Sequence, residues 1–380
     1  MRVCIVYDCL YPYTVGGAEK WYRMLAERLA AAGHDVTYLT LRQWEGGPPG
    51  VPGVRVVAVG PRMELYTASG RRRILPPLRF GLGVLRHLAR SGRRYDVVHT
   101  ASFPYFSLLA AAALRRRSRF RIVVDWHEVW TRSYWREYLG PRAGVVGWWI
   151  QGRCLRVPQR AFCFSRLHER RLRELRLGGE VTRLEGEYAG SAEPPDAPAA
   201  ARPVVVYAGR HIPEKRVPAL VPAIARARDE IPELGAELYG DGPERAAVLR
   251  AIGAAGLDGA VVAPGFVDES VLESARRTAL CFVLPSSREG YGLAVVEAAA
   301  RGVPSIVVAG PDNAATELVE EGVNGFVAPS AAEDDLARAI VAVHRGGPAL
   351  RESTLDWFGR NAERLSLERS LETVLETYVG

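Results

Sequence analysis

Two glutamates stand eight residues apart in the stretch SREGYGLAVVEAAARGVPSIVVAG, Glu289 and Glu297. Between them lies the turn Gly290-Tyr291-Gly292, and a helical run begins at Leu293-Ala294. The start of a helix offers free amides and a positive dipole end, which suit a phosphate. Carboxylates beside a phosphate repel it unless they point at hydroxyls on either side of it. A ligand with ribose, pyrophosphate and hexose in that order has the required layout. Glu289 then accepts from sugar hydroxyls, and Glu297, a turn and a half into the helix, reaches the ribose diol. The competing reading makes one a capping residue and the other a surface residue.

A nucleotide sugar also needs cations. Only two of the 50 basic residues are lysines, Lys20 and Lys215. Lys215 follows Arg210 in YAGRHIPEK, a loop after an apolar strand. Arginine gives forked contacts to phosphate oxygens, lysine a compact charge. The alternative is a solvated charged loop. Gly16-Gly17, before the first helix, lets backbone approach a ligand closely, or is a plain turn. In YGDGPER, Arg245 stands where a dinucleotide fingerprint needs a third small residue, which argues against a nicotinamide site, and no phosphate-binding GxxxxGK[ST] loop occurs.

The elements around these residues alternate. RVCIVYD, HDVTYLTL, VRVVAVG, DVVHTA and RIVVDWH read as strands, and GAEKWYRMLAERLAAAG, YFSLLAAAALRRR and GVVGWWIQGRCLR as helices. After a Pro-rich break at 190–203, a second series follows: VVVYAGR, AELYGDG, VVAPGFV, CFVLPS, PSIVVAG and GFVAP. The pattern predicts an α/β chain of two Rossmann-like doubly wound domains facing across a cleft. Their expected bounds are 1–189, a linker at 190–203, and 204–361. A last helix at 362–380 is expected to pack back on the first domain.

Composition narrows the function. The 380 residues are 48% hydrophobic and 24% charged, as in globular chains. Five scattered cysteines form no metal spacing and no disulfide framework, and the N-terminus has no signal-peptide layout, so a reducing cytoplasm is expected. Residues 1–190 hold 32 basic and 15 acidic side chains, the remainder 18 and 28. The basic first half and acidic second half point to different partners.

Taken together, the chain resembles the retaining glycosyltransferases of family 4, which have the GT-B architecture. The resemblance is carried by GGAE (16–19), DVVHT (96–100), DWHE (125–128), FSRLHERRL (164–172), YAGRHIPEK (207–215), YGDGPER and PGFVDES (264–270). Above all it is carried by PSSREGYGLAVVEAAARGVPSIVVAG with GVNGFVAP after it. It implies that Arg210 and Lys215 bind the donor diphosphate and carry its charge as it leaves. Gly16 and Gly17, with the amides of Leu293 and Ala294 beyond Gly290, Tyr291 and Gly292, would complete a phosphate cradle. Glu297 would take the ribose and Glu289 the donor sugar, while Phe266 and Val267 hold the base and His127 contacts the sugar near its anomeric centre. A structural, backbone-bonded histidine is the alternative for His127. The resemblance implies no metal, no cofactor beyond the nucleotide-sugar co-substrate (UDP- or GDP-linked), and no covalent nucleophile. Tyr291 replaces a commoner Phe, LEGEYAG (184–190) replaces the usual Asn-Gly-Val-Asp turn, and Pro213 is unusual in its loop. These departures leave substrate choice open.

The acceptor, a glycan or a lipid-linked hydroxyl, is expected on the first domain. Its arginine runs and the aromatic stretch WTRSYWREYLGPRAGVVGWWIQGR suit peripheral binding at an anionic membrane surface. The alternative is a solvated arginine surface with Trp148 and Trp149 in the core. No nucleic-acid module is present. A nucleotide-sugar epimerase and a non-catalytic sugar-nucleotide or glycan binder are the competing functions, and the sequence carries no sign of oligomeric state.

Overall fold

The computed structural model describes every residue except Val15, Ala68, Ser69 and Gly380, and, among the residues it describes, every side chain but that of Val379. Seven strands make the first sheet: β1 (Arg2–Val6), β2 (Asp35–Leu41), β3 (Val54–Gly60), β4 (Val97–Ala101), β5 (Arg121–Trp126), β6 (Gln159–Cys163) and β7 (Gly179–Arg183). They lie in the order β3-β2-β1-β4-β5-β6-β7, all parallel. Helices α1 (Gly17–Ala31), α2 (Leu75–Ser91), α3 (Phe106–Ser118), α4 (Arg132–Leu139), α5 (Pro141–Leu155) and α6 (Arg166–Glu174) connect them. Strands β1, β4 and β5 are buried on both faces, which is why they read as unbroken apolar runs. The strand order reverses between β1 and β4, so residues just past β1, β4 and β5 stand at the place where such sheets bind ligands.

Neither β6 nor β7 was expected. QRAFC and GEVTR lack an apolar run, and β7 is an edge strand carrying charges, with Glu180 paired to Arg160.

The second sheet holds β8 (Val204–Ala208), β9 (Gly235–Tyr239), β10 (Val261–Gly265), β11 (Cys281–Leu284), β13 (Ser305–Val308) and β15 (Gly325–Ala328), in the order β10-β9-β8-β11-β13-β15, again parallel. Two short strands, β12 (Arg288–Glu289) and β14 (Asp312–Asn313), pair with each other. Its helices are α7 (Leu220–Ala227), α8 (Arg245–Ala254), α9 (Glu269–Thr278), α10 (Leu293–Ala299) and α11 (Glu333–Leu365). Helix α11 kinks at Gly347, where φ is 53°, just before Pro348, which has no N–H to continue the ladder.

By its internal contacts the chain divides into two units. One holds Met1–Thr67, Arg71–Glu185 and the chain from Ser370 onward, the other Gly186–Arg369 together with Gly70. The change comes at Glu185, a few residues before the expected 189, and 190–203 contains no helix or strand. The expected single helix at 362–380 is corrected to two: α11 stops at Leu365 and α12 spans Leu367–Val379. Ser366 between them is extended, bridges to Tyr188, and its Oγ accepts from Arg369 N at 3.1 Å, starting the new helix. Near the end of α12, Tyr378 is buried, with its hydroxyl bonded to His99 Nδ1 in β4 and its carbonyl accepting from Arg121. Among the described residues no helix is long and apolar enough to cross a membrane.

Candidate active site

The second sheet also reverses its order, between β8 and β11, and the loops after these two strands carry most of the expected site. After β8 come Gly209, Arg210 and His211, then a short 3-10 turn, Pro213–Lys215. Tyr207 Oη donates to the Arg210 carbonyl at 3.0 Å and fixes the start of the loop. The glycines of YGDG back it from the neighbouring strand. A Cβ on Gly240 (φ 113°) would lie 1.9 Å from the Gly209 carbonyl oxygen, and one on Gly242 would lie 2.5 Å from that of His211. Those glycines therefore serve close packing behind Arg210. His211 is buried, and burial holds its pKa below the ordinary 6.5.

The loop after β11 is tied to this one. Ser287 N and Oγ donate to the Glu214 carbonyl at 2.9 and 3.2 Å. Lys215 Nζ donates to Glu289 Oε1, and their side chains are only 21% and 12% exposed. Glu289 also registers opposite Asn313 in the β12–β14 pair. Asn313 Nδ2 donates to the carbonyls of Val308 (2.8 Å) and Ser286 (3.2 Å), and its Oδ1 accepts from Ala315 N (3.1 Å), so one buried amide joins three loops. Burial, with the Glu289 charge added, pushes the Tyr207 phenol well up.

Gly292 precedes α10 with φ 107°, and a Cβ there would sit 2.6 Å from Ala315 Cβ. That position requires glycine for both conformation and space. Leu293 and Ala294 open the helix, and Tyr291 is buried. Glu297 is engaged elsewhere than Glu289: its Oε2 pairs with Arg276 Nη2 at 3.0 Å, while Arg301 Nη1 donates to its carbonyl at 2.5 Å. The two glutamates of the opening motif thus have separate cationic partners, Lys215 and Arg276. Phe266, just past β10, is 73% exposed, the most exposed of the chain's large apolar side chains that are described, with Val267 half-buried beside it.

The remaining expected residues lie in the first unit. His127 follows β5 and its ring stacks on Phe164, centroids 4.6 Å apart and 4° from parallel. Burial lowers its pKa against the pull of Asp125 and Glu128. Beneath it lies a buried network in which Asp125 Oδ1 bonds to His99 Nε2 (2.8 Å) and Oδ2 accepts from Trp21 Nε1 (2.8 Å). Burial pushes the Asp125 carboxyl up, but His99, His127 and Trp21 outweigh it and leave the pKa below the ordinary carboxylate value. Gly16 is the N-cap of α1 and Gly17 its first residue; the Glu19 carboxylate lies against Gly16, where a Cβ would meet Oε2 at 2.3 Å. The start of α1 therefore already has an acidic group beside it.

Sequence reasoning assigned no role to Arg276, Asn313, His99 or Asp125. His99 and Asp125 lie in quoted motifs, DVVHT and DWHE, but only the parallel register that aligns β4 with β5 joins them. Arg276 sits in a helix of ordinary charged appearance, 21 residues from its partner. Among the described residues no group of three or more His, Cys, Asp or Glu is placed to hold a metal ion.

Comparison with known proteins agrees with this architecture. Residues 16–185 match the family described as glycosyl transferase 4-like domain, and residues 202–345 match glycosyl transferases group 1. Alpha-D-kanosaminyltransferase of Streptomyces kanamyceticus is 32% identical over 151 residues, 40% of this chain and 38% of that protein, so the chain spans well under half the length of this relative. Among solved structures, sucrose-phosphate synthase from Thermosynechococcus elongatus superposes with a TM-score of 0.80 at 20% identity, covering 100% of this chain and 98% of the other. Anabaena HepE, solved in complex with UDP, gives 0.71 at 18% identity, covering 100% of both chains. With one family model on each parallel sheet and the two together taking in most of its length, the chain belongs to the group 1, family 4-type glycosyltransferases of GT-B fold.

Proposed function

We propose that this glycosyltransferase moves a hexose, with retention of anomeric configuration, from a UDP- or GDP-linked donor to a hydroxyl of a glycan or lipid-linked acceptor, without a metal. The observation that carries the reading is the Lys215–Glu289 pair, held between the loops after β8 and β11 with Arg210 in the same loop as Lys215. Cations and a carboxylate set together suit a ligand that is anionic in one part and hydroxylated in the next. Arg210 and Lys215 stabilise the departing diphosphate, with backbone amides of Gly290–Ala294 beside them. Glu289 takes sugar hydroxyls as Lys215 turns to phosphate. Glu297 takes the ribose by sharing its carboxylate with Arg276, and exposed Phe266, with Val267, offers a face to the base. The UDP complex of HepE supports a uridine donor by analogy of fold. The roles that the resemblance implies for Gly16, Gly17 and His127 belong to the same proposal.

The test is release of nucleoside diphosphate from UDP-glucose, UDP-N-acetylglucosamine and GDP-mannose in the presence of candidate acceptors, with proton couplings of the product reporting anomeric configuration. Conversion of the donor alone would favour an epimerase, and binding without turnover a sugar-nucleotide binder. An inverted product would remove the retaining part of the proposal.

One further observation favours an anionic membrane as the acceptor's setting. Helix α2 exposes Leu75, Leu78 and Leu82 along one face, preceded by exposed Ile74, with Arg79, Arg86 and Arg90 exposed on the same helix. Helix α5 exposes Val145, Val146 and Trp149 beside Arg142 and Arg153. Trp149 is 61% exposed, which corrects the alternative that placed both tryptophans in the core. Apolar side chains flanked by arginines suit the interface of an anionic bilayer. Co-sedimentation with phosphatidylglycerol vesicles tests it; equal sedimentation of wild type and a Leu78→Ser/Leu82→Ser/Trp149→Ser variant would refute it.

A further inference from the structure

The loop after β1 begins Tyr7-Asp8-Cys9, and Gln43 holds it rigidly. Gln43 Nε2 donates to the Asp8 carbonyl (2.9 Å), and its Oε1 accepts from Leu10 N (2.9 Å) and Thr14 Oγ1 (3.2 Å). The Asp8 side chain is fully buried and that of Arg72 is 10% exposed. Asp8 Oδ2 accepts from Arg72 Nη2. The other carboxylate oxygen, Oδ1, and the Arg72 Nε are both buried with no hydrogen-bond partner among the described residues. A forked pair would have used all four atoms. Buried polar atoms in folded proteins are nearly always bonded, so two idle ones on a single ion pair need a reason.

The chemistry of the idle atoms selects a ligand group. One is an acceptor and the other a donor. Phosphate offers only acceptors and is repelled by Asp8, while an ammonium offers only donors and is repelled by Arg72. A hydroxyl both donates and accepts. The surroundings select its carrier. The Arg72 guanidinium lies over the rings of Phe103 (5.2 Å) and Tyr66 (5.6 Å), and Arg72 N donates to Tyr138 Oη (3.0 Å). Phe103 stacks on Trp130 at 5.9 Å, and Trp130 meets Tyr138 at 5.0 Å. Tyr66, Phe103 and Tyr138 are half-buried, so each ring keeps part of its surface in solvent. Such rings, apolar on the face and polar at the tip, suit the C–H face of a pyranose or cyclitol. The loop also stands where the first sheet reverses its strand order.

We infer that Asp8 and Arg72 bind one hydroxyl of a ring polyol, the hydroxyl donating to Asp8 Oδ1 and accepting from Arg72 Nε, against the wall of Tyr66, Phe103 and Tyr138. Arg72 admits it by rotating its side chain away from the carboxylate. This rests on the transferase reading, for which the polyol is the acceptor, and it makes the acceptor's sugar-like ring, rather than a phosphate or a lipid tail, the part recognised here.

The test is saturation-transfer NMR on the full chain with methyl α-glucoside, methyl α-mannoside, N-acetylglucosamine and myo-inositol. Wild type is compared with Asp8→Asn and with Arg72→Lys, which keeps the charge beside Asp8 but removes Nε. At least one polyol should show transfer with wild type, falling at least about tenfold in both variants, the loss of one hydrogen bond to a charged group. Circular dichroism melts identify any variant that has lost its fold; Arg72→Lys retains the buried ion pair and decides the matter if Asp8→Asn unfolds. No signal from wild type, or an unchanged signal in folded Arg72→Lys, overturns the inference. UDP and GDP thermal shifts on the same samples separate the two readings. A nucleotide shift without polyol signal sinks this site alone, whereas a polyol signal that depends on Asp8 and Arg72 without any nucleotide shift leaves the site and removes the transferase reading.

Discussion

Replacing Lys215 by alanine should separate the stability of the second unit from its affinity for a nucleoside diphosphate. In the free protein Lys215 neutralises Glu289, and the pair is mostly but not wholly buried. Exposed pairs contribute roughly 0–1 kcal/mol and breaking buried ones costs about 3–5, so the loss here should be about 1–2 kcal/mol. At roughly 2–4 °C per kcal/mol for a unit of this size, the melting temperature should fall by about 2–8 °C. The ligand effect comes on top. Losing a hydrogen bond to a charged group costs about 1.5–3 kcal/mol, a factor of roughly 10–150 in Kd. With ligand at 100 times the wild-type Kd, binding stabilises by about 2.7 kcal/mol; a hundredfold weaker variant would keep about 0.4. The assay is a thermal-shift panel of UDP, GDP, ADP and CMP, each variant referred to its own ligand-free melt. Lys215→Ala should nearly lose the shift that one of these diphosphates gives wild type. Glu289→Gln should keep it, because a neutral amide there no longer opposes a phosphate, yet it should lose the extra stabilisation from the matching nucleotide sugar. A full nucleotide shift in Lys215→Ala would refute the assignment of that charge to the diphosphate. If Glu289→Gln loses the plain nucleotide shift as well, the pair is a structural unit and the division of labour argued here is wrong.

Further outcomes follow from the same geometry. His127 and His211 have pKa values below the ordinary 6.5, so the unfolded chain binds the extra protons and stability should fall as pH drops through about 6.5; urea midpoints should show this loss, and it should shrink in His127→Asn. Asp125, held below its ordinary value of 3.8, contributes stability above that value that is lost as pH falls through its folded pKa, a second acid limb that Asp125→Asn should shrink. Gly292→Ala should destabilise by about 1–3 kcal/mol because φ 107° and the Ala315 contact both resist a side chain, read from the urea midpoint against Gly17→Ala, where nothing lies within 4 Å. Glu297→Ala strips Arg276, 9% exposed and with its Nε already unbonded, of its near partner; a midpoint loss of about 1–3 kcal/mol is expected, and Arg276→Met in the same background should recover part of it.

Different parts of the molecule were legible for different reasons. Strands with apolar runs announce themselves, so all six strands of the second sheet and five of the first could be read directly, whereas β6 is too short in apolar residues to stand out and β7, an edge strand, carries charges without being broken by them. The helix start at Gly292 was legible because glycine at that step has a backbone cause. Pairing between distant side chains was not. Nothing local in α9 announces that Arg276 meets Glu297, and nothing near Asp8 announces Arg72, 64 residues away. Such pairs are set by which loops the topology brings to the same end of a sheet, and sequence spacing carries no information about that. The same limit explains why the opening motif was only half read. Two carboxylates flanking a helix start do suggest a ligand with hydroxyls around a phosphate, but the motif cannot say what neutralises them without it. In the protein each has its own cation, and the two cations differ in kind. Lys215 is a compact point charge on a long stem, whereas Arg276, nearly buried, also approaches Glu269 at 3.6 Å and is held by two acids. On the proposed reading the Lys215–Glu289 pair is the one that exchanges partners with a phosphate, while Arg276 keeps the Glu297 carboxylate in place.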